Sequence, residues 1–117
     1  MKKTYLIYSL AIFAIFLSSC SSKKGLYSWY DYEDTSYDCI KKQTPESTKS
    51  LSNTYLKMIK KQKGIRKTVP PGMYAEQGYG LIKSGKIEEG KTLLDKEEEL
   101  YPESKVLMER IKKALEQ

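Results

Sequence analysis

The chain has 117 residues, a net charge of +6, two cysteines and no histidine. Its length suits one small domain rather than two. The absence of histidine excludes Ser-His and Cys-His nucleophiles, HExxH zinc sites and histidine proton shuttles. Gly78-Tyr79-Gly80 lacks the preceding strand and the further glycines of a dinucleotide-binding loop. We therefore expect no catalytic residue, no cofactor and no metal site.

Residues 1–20 have the organisation of a secretory signal that ends in a cysteine. Lys2 and Lys3 supply a positive start, and residues 5–17 form an uncharged apolar stretch, shorter than the roughly 20 residues that span a bilayer as a helix. Leu17-Ser18-Ser19-Cys20 closes it as a lipobox, so the segment resembles the bacterial lipoprotein signal. That resemblance implies removal of residues 1–19 and acylation of Cys20, and Ser21 in place of aspartate implies a lipid-anchored, periplasm-facing location at the outer membrane. The alternative is an ordinary signal with a chance cysteine, or an uncleaved anchor.

The chain after the signal, about 98 residues, is near the lower limit for a domain that is stable alone. Residues 20–26 are small, polar and charged, which predicts a flexible lipidated tether, and the folded domain is expected over 27–117.

With Cys20 acylated, Cys39 has no partner within the chain, so a disulfide-stapled fold is excluded. Cys39 then serves either as a small buried hydrophobe or as a cross-link to another chain. The small positive excess favours anionic envelope surfaces, and we expect no nucleic-acid partner.

An aromatic segment opens the predicted domain. Five aromatic side chains fall within eleven residues, and such a density indicates burial or binding; they are Tyr27, Trp29, Tyr30, Tyr32 and Tyr37. Tyr30, Tyr37 and Ile40 approximate the apolar stripe of a first helix that ends near Lys42. Because Trp29, Tyr30 and Tyr32 precede or open this short helix, at least one of them is expected to face outward.

The second predicted helix begins at Thr44-Pro45, an N-cap followed by proline at the first helical position. Its apolar face recurs at helical spacing through Leu51, Tyr55, Met58 and Ile59, and the helix ends before Gly64. The other face is basic and continues past the helix end, through Lys57, Lys60, Lys61, Lys63, Arg66 and Lys67. A solvated helix face explains this cluster; attraction to phospholipid headgroups or to an acidic partner is the alternative.

Val69-Pro70-Pro71-Gly72 separates the second helix from three more helices. Pro71 can open the third helix, whose apolar face carries Tyr74, Gly78, Leu81 and Ile82, and Gly85 ends it. The fourth helix is expected to bury Ile87, Gly90, Leu93 or Leu94, and Leu100, and ends at Tyr101-Pro102. The fifth is expected from about Glu103 to Leu115, with Leu107, Met108, Ile111, Ala114 and Leu115 on its apolar side. No strand is predicted.

Residues 71–102 resemble a tetratricopeptide repeat, read in register from Pro102 as the terminal proline. The matching positions are Tyr74, Gly78, Leu81, Gly90 and Leu94. Gly78 and Gly90 would let two antiparallel helices approach closely, and Gly85 would allow the tight turn between them. Gln77 and Glu97 depart from the pattern, and an ordinary amphipathic hairpin is the alternative. The predicted fold is therefore all-α, a short tetratricopeptide-like solenoid of two hairpins, of which 31–63 is the more divergent, with a C-terminal capping helix.

The chain is also similar to a family of small Gram-negative lipoproteins catalogued only as a domain of unknown function. The motifs that carry this similarity are Tyr27-x-Trp29, Tyr32-Glu33-Asp34, Tyr37, Val69-Pro70-Pro71-Gly72, Tyr74-Ala75-Glu76, Gly78, Gly85-Lys86 and Leu100-Tyr101-Pro102-Glu103-Ser104. Tyr30 stands where the family pattern has glycine, and Gly90 where alanine is usual. The similarity implies a periplasmic lipoprotein encoded near a curli-pore-like lipoprotein and another small lipoprotein, and hence a shared envelope assembly.

Two functions follow from these observations. The first is a lipid-anchored adaptor that docks an envelope protein, because a short solenoid has unfinished ends. Its expected partner-binding residues are Trp29, Tyr30, Tyr32, Tyr37, Pro70, Pro71 and Tyr74. The second is a module that binds or degrades cell-wall glycan, with the aromatic segment as a stacking platform.

An acidic cluster allows one further chemistry. Its members are Glu88, Glu89, Asp95, Glu97, Glu98, Glu99 and Glu103. A pair of these carboxylates could act in general acid-base catalysis, but a solvated, salt-bridged helix surface is the expected role. We therefore predict that the protein is not an enzyme.

Overall fold

A computed structural model describes residues 1, 3–5, 7–8 and 24–115. Cys20 and most of the predicted signal lie outside these residues. The helices of the domain are α1 Tyr32–Lys42, α2 Pro45–Lys60, α3 Met73–Lys83, α4 Ile87–Leu100, a short 3-10 helix Pro102–Ser104, and α5 Lys105–Ala114. Residues 24–115 contain no strand. The all-α prediction is therefore confirmed, and the helix boundaries fall close to those expected.

The helices pack as two successive hairpins and a final helix. α1 packs against α2, α3 packs against α4 over the largest contact of the fold, and α5 packs on α4. One cluster of buried side chains joins α2 to the start of α3 and contains Tyr55, Met58, Val69 and Met73. A second cluster joins α3, α4 and α5 through Ile82, Leu94 and Met108. Each hairpin thus shares its core with the next element, as in a solenoid.

Local signals in the sequence account for two of the helix starts. At α2, the Ser47 amide donates to the Thr44 hydroxyl at 3.2 Å, and the Ser47 hydroxyl accepts from the Thr44 amide at 3.1 Å. This reciprocal capping box confirms the predicted start at Thr44-Pro45. At α3, Pro71 is not the first helical residue as predicted, because the chain turns through Pro70 and Pro71 and the helix starts at Met73. Gly72 is the N-cap with φ +88°, a conformation that glycine adopts without a steric cost.

The α3–α4 hairpin is held together at two glycines. Gly78 on α3 and Gly90 on α4 are buried against each other, and a β-carbon on Gly78 would lie 2.8 Å from the Gly90 carbonyl oxygen. A β-carbon on Gly90 would in turn meet the Gly78 carbonyl oxygen and the Ile82 side chain. Gly85, with φ +90°, makes the turn between the helices. The close helix approach therefore depends on the absence of side chains at both helical positions.

The predicted apolar faces of three helices are wrong, on α1 throughout and on α5 and α4 in part. On α1, Tyr37 and Ile40 point to solvent, with Ile40 75% exposed, and the inner face instead carries Tyr32, Thr35, Ser36 and Cys39. On α5, Met108 is buried and Ile111 partly buried, while Leu107, Ala114 and Leu115 are exposed. On α4, Ile87 and Leu100 are also largely exposed, since they lie at the two ends of the helix. The first and last helices have a neighbour on one side only, so they bury a narrower face than their sequence offers.

Backbone contacts of the domain begin ahead of Tyr27, where folding was predicted to start. The Ile65 amide donates to the Gly25 carbonyl and the Arg66 amide to the Leu26 carbonyl, both at 3.1 Å. Residues 25 and 26 of the predicted tether therefore lie along the loop that follows α2.

Candidate functional site

Four of the aromatic rings form a continuous row that runs from the surface into the core. Tyr27 and Trp29 have ring centroids 6.2 Å apart, Trp29 and Tyr32 5.7 Å, and Tyr32 and Tyr55 6.0 Å. These separations are typical of favourable edge-to-face and tilted pairs. Trp29 is 45% exposed, whereas Tyr55 is buried. The aromatic segment therefore serves mainly to pack the domain. Trp29 is the largest of its rings and is partly exposed to solvent.

Tyr32 and Tyr55 end this row at a shared carboxylate on α3. Their hydroxyls donate to Glu76 Oε2 at 2.9 and 2.6 Å. Burial, and then the hydrogen bond to Glu76, raises the pKa of Tyr32 to about 12 and raises the pKa of Tyr55 further. Because the three residues come from α1, α2 and α3, the carboxylate ties the first hairpin to the second.

Tyr30 and Tyr37 do not extend the row. Tyr30 has φ +51°, and its hydroxyl donates to the Lys61 carbonyl. Glycine adopts a positive φ without a steric cost, which agrees with the glycine that the resemblance leads us to expect here. Tyr37 is exposed on the outer face of α1, where the Lys41 ammonium lies 5.5 Å from the centre of its ring. The seven residues predicted to bind a partner therefore do not form one surface at this end.

The remaining predicted binding residues are separated as well. Pro70 is fully buried, Pro71 is exposed, and Tyr74 is partly buried with the Lys96 ammonium 5.9 Å from its ring centre. Burial and the nearby charge of Glu97 raise the pKa of Tyr74. Tyr74 faces a depression between α2, α3 and α4. Pro70 is thus a core residue rather than part of an exposed binding surface.

Glu97 is the member of the acidic cluster whose predicted solvated role is wrong. It is 1% exposed, and its Oε1 accepts the Gly72 amide of the α3 N-cap at 2.6 Å. Its Oε2 is buried and makes no hydrogen bond to any described residue. Asp95 and Glu98, by contrast, do form ion pairs, with Lys112 of α5. Glu97 fixes α4 to the start of α3, which explains its departure from the repeat pattern.

Two clefts flank α3 and share Glu76. The first, about 230 Å³, lies between α3 and the first hairpin; its lining includes Cys39, Leu51, Tyr55, Gln77 and Leu81. The half-buried Cys39 Sγ lies 3.8 Å from the Thr48 hydroxyl. The second, about 360 Å³, lies between α3 and α5 and is called the C-terminal cleft; its lining is Gly72, Ala75, Glu76, Tyr79, Glu97, Ser104, Leu107, Met108 and Ile111. Both clefts are mainly apolar, as ligand and peptide sites commonly are.

Sequence reasoning missed the C-terminal cleft as a candidate site. Tyr79 and Leu107 stand half-exposed on its two sides, and Met108 forms its buried floor. Leu107 was expected in the core because it follows the apolar spacing of α5. The signal available in the sequence was that the last helix of a solenoid has no following repeat to cover it.

The described residues offer no site for a metal and no membrane span. Within them, no three His, Cys, Asp or Glu side chains are grouped so that they could hold a metal ion. No helix among them is long and apolar enough to cross a bilayer.

The chain belongs to the family described as Domain of unknown function (DUF4810), whose model matches residues 26–111. This match confirms the similarity to a family of unknown function that the motifs indicated. No curated protein and no solved structure matches the chain.

Proposed function

We propose that this chain is a lipid-anchored, non-enzymatic adaptor that holds a protein partner at the periplasmic side of the outer membrane. The observation that carries the proposal is the C-terminal cleft, an apolar groove that the last helix leaves open beside the exposed Leu107. Solenoids bind partners through surfaces of this kind. A half-exposed tyrosine and leucine on opposite sides of a groove suit the apolar anchor of a partner segment.

The lipid anchor rests on the lipobox and has its own test. A Cys20→Ser chain is expected to incorporate no fatty-acid analogue in metabolic labelling, because the thiol that would be acylated is gone. Cys39→Ser is the matched control and keeps the label, since Cys39 lies within the folded domain. Label retained in the Cys20→Ser chain would contradict the anchor.

Introducing a charged side chain at the rim of the C-terminal cleft tests whether a partner binds there. Leu107→Glu is expected to reduce recovery of the bound envelope protein at least tenfold, a loss of about 1.4 kcal/mol or more in binding. Val106→Glu is the matched control, because Val106 is equally exposed on the same helix and does not line the cleft. The measurement is quantitative mass spectrometry of pull-downs from solubilised envelopes, with the curli-pore-like lipoprotein as the first partner to examine.

The pattern across the two variants decides the role of the cleft. A protein that is retained by Val106→Glu and lost by Leu107→Glu supports docking in the cleft. Equal recovery with both variants contradicts it, provided that circular dichroism shows unchanged helix content.

A cell-wall glycan module is the second candidate, favoured by the open face of Trp29. An indole exposed beside a second aromatic ring is able to stack on a sugar, and Tyr27 lies next to it. Under this alternative the chain sediments with purified peptidoglycan, and Trp29→Ala abolishes sedimentation while leaving the pull-down unchanged. The adaptor proposal expects no sedimentation with either chain.

A further inference from the structure

The end of the predicted tether and the loop after α2 form a single surface. Besides the backbone bonds from Ile65 and Arg66 to Gly25 and Leu26, the Ser28 hydroxyl accepts the Lys63 amide at 3.1 Å. Gly64 is buried, and a β-carbon there would meet the Leu26 carbonyl and the Tyr27 backbone. The glycine therefore lets the two segments lie in direct backbone contact, so the side chains of both are displayed together.

This shared surface is cationic and carries two exposed aliphatic side chains. We call it the anchor-side patch; it consists of Lys24, Leu26, Lys60, Lys61, Lys63, Ile65, Arg66 and Lys67. Leu26 is 57% exposed and Ile65 61% exposed. The sequence has no aspartate or glutamate between Glu46 and Glu76. Within residues 24–115, no carboxylate lies at ion-pair distance from any of the six basic side chains of the patch, whereas the neighbouring Lys57 pairs with Asp31. The charge of the patch is therefore not neutralised by the part of the chain that the structure describes.

The patch lies at the end of the domain where the chain enters it at Gly25, five residues after Cys20 in the sequence. Gly25 follows Cys20 by so few residues that even a fully extended chain would separate them by at most about 18 Å. The patch also lies where α2 ends and before α3 begins. The turn of the first hairpin, at residues 43–44, lies at the other end of α2, about 24 Å away along that helix. The turn of the second hairpin, at residues 84–86, lies at the other end of α3, about 16 Å away along that helix.

We propose that the anchor-side patch rests on the anionic phospholipid headgroups of the membrane that holds the acyl chains of Cys20. The inference rests on the lipid anchor of the proposed function and adds an orientation to it. Lysine and arginine are attracted to anionic headgroups, and two exposed aliphatic side chains among them enter the headgroup boundary. The helices then stand on the membrane, with the hairpin turns pointing away from it.

The geometry favours the membrane over an acidic protein as the occupant. A short link to the acylated residue keeps the patch close to the lipid surface at a high effective concentration, which no diffusing partner has. Paired basic and aliphatic side chains also match an interface whose outer layer is charged and whose inner layer is apolar. Docking on the membrane leaves the C-terminal cleft free for a protein partner.

The test compares lysine accessibility on two lipid surfaces. The full chain, expressed with its own signal and purified in detergent, is placed in vesicles of phosphatidylcholine alone or of phosphatidylcholine with phosphatidylglycerol. A short pulse of acetic anhydride is followed by mass spectrometry of each peptide. Lys61, Lys63 and Lys67 are expected to react at about one fifth of the rate or less on the anionic vesicles, while Lys42 and Lys86 react equally on both. High salt is expected to remove the difference, because it screens the attraction.

Two double charge-reversal variants distinguish an effect of the patch from an effect of the net charge of the chain. Lys61→Glu with Lys63→Glu is expected to remove the protection of Lys67. Lys83→Glu with Lys86→Glu makes the same change in charge at the far hairpin turn and is expected to keep that protection. Equal protection in both double variants overturns the proposal.

The remaining outcomes distinguish the patch from the anchor. Equal reaction rates on the two vesicle types overturn the proposal, and so does protection that appears only after an envelope protein is added. The mass of the peptide that begins at Cys20 shows in the same samples whether the anchor exists. An acylated chain with an unprotected patch rejects the patch alone. A chain without acyl groups that still floats with anionic vesicles and shows a protected patch rejects the anchor alone.

Discussion

Gly78→Leu is expected to lower the free energy of unfolding by about 1 to 3 kcal/mol, the usual cost of overfilling a close contact. Its β-carbon alone would lie 2.8 Å from the Gly90 carbonyl oxygen and 3.3 Å from Leu94. Neither backbone can move aside without separating α3 from α4, which form the largest helix contact of the domain. In a domain of this size each kcal/mol corresponds to a melting temperature shift of about 4 to 8 °C. Thermal unfolding followed by circular dichroism measures it.

Gly80→Leu is the matched control for this prediction. Gly80 lies two residues further along α3, and a β-carbon there would meet no atom within 4 Å. Because leucine is a better helix former than glycine, this change is expected to stabilise the chain by up to about 1 kcal/mol. Equal melting temperatures for the two variants would contradict the close contact at Gly78.

The sequence identified the glycine contact because the repeat spacing constrains it. Counting back from Pro102 placed small residues at positions 78 and 90, and the structure brings these two residues together. Helix starts were equally predictable where a local signal exists, as at the Thr44 cap. Such features depend on neighbours in sequence or on a fixed repeat length, so they can be derived without knowledge of the fold.

The buried faces of the end helices could not be derived in this way. On α1, the apolar Tyr37 and Ile40 face solvent while Thr35 and Cys39 lie beside α2. The orientation of α1 is set by Tyr32, which reaches both Tyr55 and Glu76. The spacing of apolar residues shows which faces of a helix could be buried. Which of these faces is buried depends on how many other helices pack against it.

The carboxylates of the candidate site were the least predictable features. Glu76 was noted only as part of a family motif, and Glu97 only as a departure from the repeat and as a member of the solvated acidic cluster. Their roles depend on partners distant in sequence: Glu76 accepts from Tyr32 and Tyr55, and Glu97 accepts from Gly72. The structural role of a buried or shared carboxylate depends on the groups that donate hydrogen bonds to it. The sequence alone does not show which donors will lie near it in the fold.

Tyr55→Phe is expected to lower the free energy of unfolding at neutral pH by about 1.5 kcal/mol or more, because it removes a hydrogen bond to a charged group. It is also expected to weaken the pH dependence of stability in alkali. In the unfolded chain a tyrosine titrates near pH 10. In the folded chain the pKa of Tyr32 is about 12 and that of Tyr55 is raised further, by burial and by Glu76. The stability that these protonated hydroxyls contribute is therefore complete below about pH 10 and is lost as the pH rises towards and beyond 12.

The alkaline decline is measured by denaturant unfolding of the parent chain and the variants at a series of pH values from about 9 to 11, around the unfolded tyrosine pKa. Tyr79→Phe is the matched control, because Tyr79 is half-exposed and its hydroxyl makes no hydrogen bond to a described residue. All chains share the same lysines, so their titration does not affect the comparison. Tyr79→Phe should follow the parent, and Tyr55→Phe should decline less steeply with pH because one of the two phenols that donate to Glu76 is gone. A decline of equal slope in Tyr55→Phe would show that the hydroxyl pair on Glu76 does not join the two hairpins as the structure indicates.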